Sequence, residues 1–322
     1  MPNTERNSQD GRVGNAHPTV SVAVGVIKNP QGQILIALRD DARHQGGLWE
    51  FSGGKIEANE TAEQALKREL KEELGIDVVQ ATPLITIKHQ YPDKTVQLRV
   101  FTVEHFTSEP HSAENQPIQW VNPNELKNYA FPAANLPIIT AAQLPPFYAI
   151  LDDSEPLLLK ENLQKLLAKD LKLIQARLKN LSSAASRAFL DYAYPLCQQH
   201  SALLLINSAV ATDKSADGVH LTSRDLMTMQ QRPANVQWLA ASCHNLQEIQ
   251  HAEHIGVDFV VLAPVLATKT HPDTPPMGWQ KFAELVGQCK MPVYALGGQT
   301  LADLNNAQQA GGQGIAAIRT FL

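Results

Sequence analysis

The sequence predicts an α/β chain in two parts, the second of them a compact (β/α)8 barrel. Three observations carry this reading. Short apolar runs alternate with amphipathic stretches through the second half of the chain. A glycine pair followed by a glutamate-rich helix dominates the first half. Between them a proline-rich stretch, 137–146, breaks both patterns and closes on Pro145-Pro146.

The helix of the first half lies within residues 54–76. Thr61 is placed to cap its start, and Glu60 and Glu63 suit the positive end of the helix dipole. Ala62, Leu66 and Leu70, four apart, form an apolar stripe, and Lys67 and Lys71 can face solvent. Gly75 falls where a left-handed closing residue is wanted. Glu69, Glu72 and Glu73 follow i, i+3, i+4 spacing and so share one face. Three carboxylates so close repel one another, and a hard divalent cation turns that repulsion into a binding site. The plain alternative is a solvated helix rich in Glu and Lys. The preceding loop, Phe51-Ser52-Gly53-Gly54-Lys55, argues against it, because paired glycines let backbone amides and carbonyls approach a ligand.

In the second half the apolar runs are 147–151, 171–175, 202–207, 218–221, 236–242, 258–263, 292–296 and 314–318. Amphipathic stretches such as 157–169, 182–199, 245–255 and 301–310 separate them. Eight such runs, apolar almost throughout, fit parallel strands buried on both faces and closed into a barrel. A doubly wound open sheet shares the same alternation.

Composition bounds the function. The chain has 322 residues, enough for two domains, and 43% hydrophobic content to fill their cores. A net charge of −5 with no Lys/Arg-rich run speaks against nucleic-acid and membrane-surface partners. Cys197, Cys243 and Cys289 show neither zinc nor disulfide spacing, which suits a reducing cytoplasm. No apolar run reaches the roughly 20 residues a bilayer demands. Residues 1–17 are polar and read as a loose tail, not a signal peptide. The expected division is therefore a tail at 1–17, one domain at 18–143 and a second at 144–322. His44, His105 and His111 have no metal spacing and read as surface residues.

Gly54, Glu60, Arg68, Glu69, Leu70, Glu72, Glu73, Gly75 and Ile76 occupy all nine fixed positions of the Nudix box, spread over 23 residues. The segment thus resembles a Nudix hydrolase, whose fold is an α/β/α sandwich with a mixed sheet. Residues 20–140 are similar to the 8-oxo-dGTP diphosphatases of that family at 22–39, 48–57, 91–106 and 131–139. The resemblance implies Mg²⁺-dependent hydrolysis, with Mn²⁺ as an alternative, of an oxidised purine nucleoside triphosphate to the monophosphate plus pyrophosphate. That activity cleans the nucleotide pool and so serves DNA repair. By resemblance Gly54, Glu69, Glu72, Glu73 and Glu114 hold metal, and Arg68 pairs with Glu60 to keep the cluster in register. Arg39, Phe51, Lys55 and Asn135 line the substrate pocket, with Asn135 reading the purine edge through its donor and acceptor. Each has a plain reading too: Arg39 as a surface cation, Phe51 as core, Asn135 as a turn residue. Ser52 departs from the family's proline before the two glycines.

Residues 146–322 resemble thiamine-phosphate synthase and its thiazole-tautomerase relatives, at 175–179, 204–207, 217–226, 241–272 and 294–300. The resemblance implies a ligand site for thiamine phosphate or a relative, built from Gln175, Arg177, Lys179, Asn207, His220, Asp225, Ser242 and the phosphate loop Gly297-Gly298. Three departures matter. Ser208 stands where a Mg²⁺-binding Asp is expected, His271 ends the segment where a lysine is expected, with Lys269 two residues off register, and Arg319 replaces a small residue. The sequence ends at Leu322, short of a last barrel helix, and a homodimer partner is expected to cover that end. Two functions compete on this basis. One is a nucleotide sanitiser with a degenerate or ligand-binding barrel, able to act as a sensor. The other is a bifunctional thiamine-pathway protein whose Nudix half cleaves a thiamine-related diphosphate.

Overall fold

The computed structural model describes residues 19–42, 45–113, 115–209, 216–268 and 273–322. The first half contains β1 (Thr19–Ile27), β2 (Ile34–Leu38), β3 (Trp49–Glu50), β4 (Gly53–Lys55), α1 (Ala62–Leu74), β5 (Asp77–Gln90), β6 (Thr95–Thr107), β7 (Ile118–Val121) and α2 (Leu136–Gln143). Strand β1 runs parallel to β6, with β4 and β5 antiparallel on the outside, giving a mixed sheet in the order β4-β1-β6-β5. A three-stranded antiparallel sheet, β3-β2-β7, completes the layer.

Alternation along β1 sends successive side chains to opposite faces. Ala23 and Ile27 pack with Leu66, Leu70 and Leu74 of α1. Val24 and Val26 pack with Ile138 and Ala141 of α2. One helix therefore covers each face, which is the α/β/α sandwich the resemblance implied. Helix α1 begins with a reciprocal cap: Gln64 N donates to Thr61 Oγ1 at 3.2 Å, and Thr61 N donates to Gln64 Oε1 at 2.8 Å. Gly75 closes it at φ 70°. The buried stripe is Ala65, Leu66, Leu70 and Leu74. Ala62, expected in that stripe, is only half-buried, because it sits in the first turn before the helix reaches the sheet.

The second half holds eight parallel strands closed into a barrel: β8 (Phe147–Asp152), β9 (Leu173–Arg177), β10 (Leu203–Asn207), β11 (Gly218–Leu221), β12 (Trp238–Cys243), β13 (Phe259–Leu262), β14 (Val293–Leu296) and β15 (Gly314–Ala317). The open-sheet alternative is excluded by the pairing of β15 with β8. Tyr148, Ile150, Leu173, Leu205, Phe259, Val261 and Tyr294 fill the interior. Their neighbours Ala149, Leu151, Ile174, Leu204 and Val260 face the helices outside. Both faces being buried explains why these strands read as unbroken apolar runs.

The helices are α3 (Pro156–Ala168), α4 (Ser183–Gln199), α5 (Ser223–Thr228), α6 (Leu246–His254), α7 (Gly278–Val286) and α8 (Leu304–Gln309). Strand β9 starts at Leu173, two residues later than the apolar run suggested. Residues 169–171 are used instead to close α3: Asp170 turns left-handed at φ 61°, and Leu171 N donates back to Leu166 O at 3.1 Å. The same closure follows α4, where Ser201 has φ 50° and Ala202 N donates to Cys197 O at 2.9 Å. The stretch 301–310 opens with a 3-10 turn, Leu301–Asp303, before α8 begins.

The chain enters the barrel through a pinned connection. Gln313 Nε2 donates to Ala141 O at 3.0 Å and Leu144 O at 2.9 Å. Tyr294 Oη donates to Pro145 O at 2.5 Å, and Ile315 N to Pro146 O at 3.0 Å. Leu144 is buried in the interior cluster at the end where the strands begin.

Candidate active sites

Helix α1 carries its glutamates to the β4 glycines. Gly53 N donates to Glu73 Oε2 at 3.1 Å. The Glu69 carboxylate lies so close over Gly54 that a Cβ there would overlap it and push the carboxylate aside. Arg68 is the hub: it donates to Glu60 at 2.7 and 3.3 Å, to Glu69 Oε1 at 2.8 Å, to Lys55 O at 3.0 Å and to Glu72 Oε2 at 3.4 Å. The Arg68 hydrogen bond, helped by the Glu57 amide, holds the Glu60 carboxyl below its ordinary range. Pairing with Glu60 and then Glu69 raises the Arg68 guanidinium in turn. Glu72 points outward, its side chain 59% exposed against 17% for Glu69.

Glu69 and Glu73 thus converge on the glycine loop, and their hard oxygen donors suit a divalent cation such as Mg²⁺. Among the described residues no three His, Cys, Asp or Glu side chains are gathered closely enough to enclose an ion, since Glu69 and Glu72 are turned to Arg68. Glu114 lies outside the described residues. The segment before it is tied to the end of α1, with His111 N donating to Leu74 O at 3.0 Å and Ala113 N to Glu73 O at 2.9 Å.

A cleft of 360 Å³ opens beside this loop. Arg39, Phe51, Lys55 and Asn135 all line it. Phe51 is buried and stacks on Phe131 at 5.3 Å and 26°. Arg39 pairs with Glu50, also in the wall. Asn135 sits just before α2, yet its side chain caps no backbone amide there, and its amide has no hydrogen-bond partner among the described residues. Tyr91 and Lys94, at the turn of the long β5–β6 hairpin, overhang the cleft. Sequence reasoning missed both, although a Tyr-Pro-Asp-Lys turn between two apolar runs was the signal for a projecting hairpin tip.

At the barrel, a cavity of 350 Å³ lies at the C-terminal ends of the strands. Gln175, Arg177, Lys179, Asn207, His220, Ser242 and Gly297 line it, and Gly298 lines an adjoining 270 Å³ cleft with Arg319. Gly297 and Gly298 have φ 99° and 66°, and a Cβ on Gly298 would overlap Ala267 O. Arg177 pairs with Asp152 at 2.7 Å. Burial, then the neighbouring Arg177, lowers the Lys179 pKa. Gln175 Nε2 is buried without a partner among the described residues. Asp225 does not line the cavity. It accepts from the Ser208 hydroxyl and from Thr222 Oγ1 at 2.8 Å, and the Ser208 bond most of all lowers its pKa. His271 and Lys269 lie outside the described residues.

Buried His220 is held between two hydroxyls, its Nδ1 at 2.9 Å from Tyr148 Oη and its Nε2 at 2.9 Å from Ser242 Oγ. Burial, with Arg177 and Lys179 nearby, pushes its pKa down to about 3. Tyr148 escaped the sequence reading because an aromatic in an apolar strand looks like core.

Known families match both halves. A thiamine monophosphate synthase model matches residues 147–321, and a NUDIX domain model matches 23–141. A putative thiamine-phosphate synthase of Aquifex aeolicus is 34% identical over 186 residues, covering 56% of this chain and 99% of that protein. The 8-oxo-dGTP diphosphatase of Proteus vulgaris is 50% identical over 88 residues, 27% of this chain and 79% of that protein. Its Escherichia coli counterpart is 38% identical over 120 residues, 37% of this chain and 93% of that protein. The chain belongs to the thiamine monophosphate synthase family through its barrel and to the Nudix hydrolases through its first half. No helix among the described residues is long and apolar enough to cross a membrane.

Proposed function

We propose that the Nudix half hydrolyses an oxidised purine nucleoside triphosphate, 8-oxo-dGTP, to 8-oxo-dGMP and pyrophosphate. The observation that carries this reading is Asn135: its amide faces the cleft unpartnered among the described residues and takes no part in capping α2. A free amide offers a donor and an acceptor together, which a purine edge can match bidentately. Phe51, braced by Phe131, provides an apolar surface beside it. Glu50 holds Arg39 in the cleft wall.

Glu69, Glu73, Glu72 and the Gly54 carbonyl would hold Mg²⁺, or Mn²⁺ in its place. When bound, the cation neutralises phosphate charge and lowers the pKa of a coordinated water. Arg68 fixes the direction of Glu69 and Glu60, and Gly54 lets the Glu69 carboxylate lie directly against the loop backbone. The reducing cytoplasm is the proposed compartment, consistent with three buried free cysteines.

For the barrel we favour binding of a thiamine-related phosphate without synthase turnover, because Asp225 is committed to Ser208 and Thr222. The deciding experiment is Mg²⁺-dependent pyrophosphate release from 8-oxo-dGTP, dGTP and thiamine diphosphate at equal low concentration. A large preference for 8-oxo-dGTP supports the reading. Preference for thiamine diphosphate moves the activity into cofactor metabolism.

A further inference from the structure

Ser242, beside a histidine at the floor of the barrel cavity, invites comparison with a nucleophile and its base. Hydrogen-bond satisfaction across the barrel interior argues otherwise. Tyr148 is fully buried, and His220 Nδ1 is the partner of its hydroxyl among the described residues. If Nδ1 carried the proton, the phenolic O–H would be left without an acceptor inside the barrel, and a buried unpaired donor is strongly disfavoured. Tyr148 therefore donates to Nδ1. The imidazole proton is then on Nε2, and Nε2–H donates to Ser242 Oγ, 2.9 Å away. An Nε2 that already holds a proton cannot take one from serine, so Ser242 is no activated nucleophile. Its own O–H is left to point into the cavity that it lines.

We propose that Tyr148 is a positioning residue: through His220 it fixes the Ser242 hydroxyl proton toward the cavity, where it is offered to an acceptor atom of the ligand. Gln175 Nε2, the buried donor lacking a partner among the described residues, lines the same cavity and reinforces the polarity. An acceptor such as a carbonyl, an unprotonated ring nitrogen or a phosphate oxygen matches that donor. This holds independently of which ligand the barrel takes.

The test is nitrogen NMR of the full chain labelled with ¹⁵N-histidine, with the His220 signals identified by their loss in His220→Asn. The expected spectrum shows a neutral ring protonated at Nε2 and bare at Nδ1. In Tyr148→Phe the bare Nδ1 resonance should move downfield as it loses its donor. Protonation at Nδ1 in the unmodified protein would overturn the proposal outright. An Nδ1 resonance unmoved by Tyr148→Phe would also overturn it, because Tyr148 would not then be the donor. The unmodified protein decides the first point even if the variant does not fold.

Discussion

The Ser208 hydroxyl donates to the Asp225 carboxylate, so a position that would hold a second carboxylate in the synthase pattern instead satisfies the first. Thr222 adds a second bond to the same oxygen. Ser208→Asp should reverse this arrangement by placing two carboxylates in mutual repulsion, relieved by a divalent cation. Measured in a Glu69→Gln background, the variant should start with a lower thermal midpoint and gain about 2–4 °C with Mg²⁺ for each kcal/mol of binding linkage. A Mg²⁺ response no larger than that of Glu69→Gln alone would refute the assignment.

Glu69→Gln should leave the fold intact while removing a charge at the glycine loop. Loss of several kcal/mol of metal-assisted stabilisation corresponds to a fall in kcat of about 100-fold or more. Circular dichroism checks the fold, and pyrophosphate release checks turnover. Near-normal turnover would rule out the proposed role for Glu69.

Asn135→Ala removes the unpartnered amide without disturbing α2, which it does not cap. Discrimination worth about 1–3 kcal/mol should disappear, so kcat/KM for 8-oxo-dGTP should drop about 5- to 150-fold relative to dGTP. Equal losses on both nucleotides would assign Asn135 a merely structural part.

His220 gives the barrel a pH dependence of definite sign. Its folded pKa, about 3, lies below the unfolded value of about 6.5, so the unfolded state binds the proton first as pH falls. The stability it contributes is present above pH about 6.5 and is lost toward pH about 3, at about 1.4 kcal/mol per unit. Urea unfolding at two pH values inside that window should show this slope in the parent chain. The slope should be shallower in His220→Asn, by about 1.4 kcal/mol per unit.

Gln313→Leu should destabilise the chain by about 1–3 kcal/mol, because it strips a donor from two carbonyls, Ala141 O and Leu144 O. Chemical denaturation measures it. A neutral result would mean that water replaces the amide.

Much of this architecture was legible in the residues. The glutamate spacing and the Thr61 and Gly75 caps specified α1, since helix ends are set by local chemistry. Apolar runs specified the barrel strands, since burial on both faces leaves no polar alternation. Misjudged strand starts trace to Asp170, a side chain adopting the left-handed turn where glycine is the usual signal. Tyr148 and Gln313 were invisible for a different reason. Their partners lie 72 residues away for Tyr148, and 169 and 172 for Gln313, and nothing local announces a bond across the barrel.

The buried Leu144 and the bonds from Tyr294 and Gln313 have a consequence for descent. A barrel whose strand-start end is closed by the tail of the preceding helix would lose packing and hydrogen bonds if another barrel were spliced in at that joint. Separation there would open a hole in one partner and leave bare carbonyls on the other. Substitutions at Leu144, Tyr294 and Gln313 should therefore be inherited in concert wherever the two halves are joined as they are here.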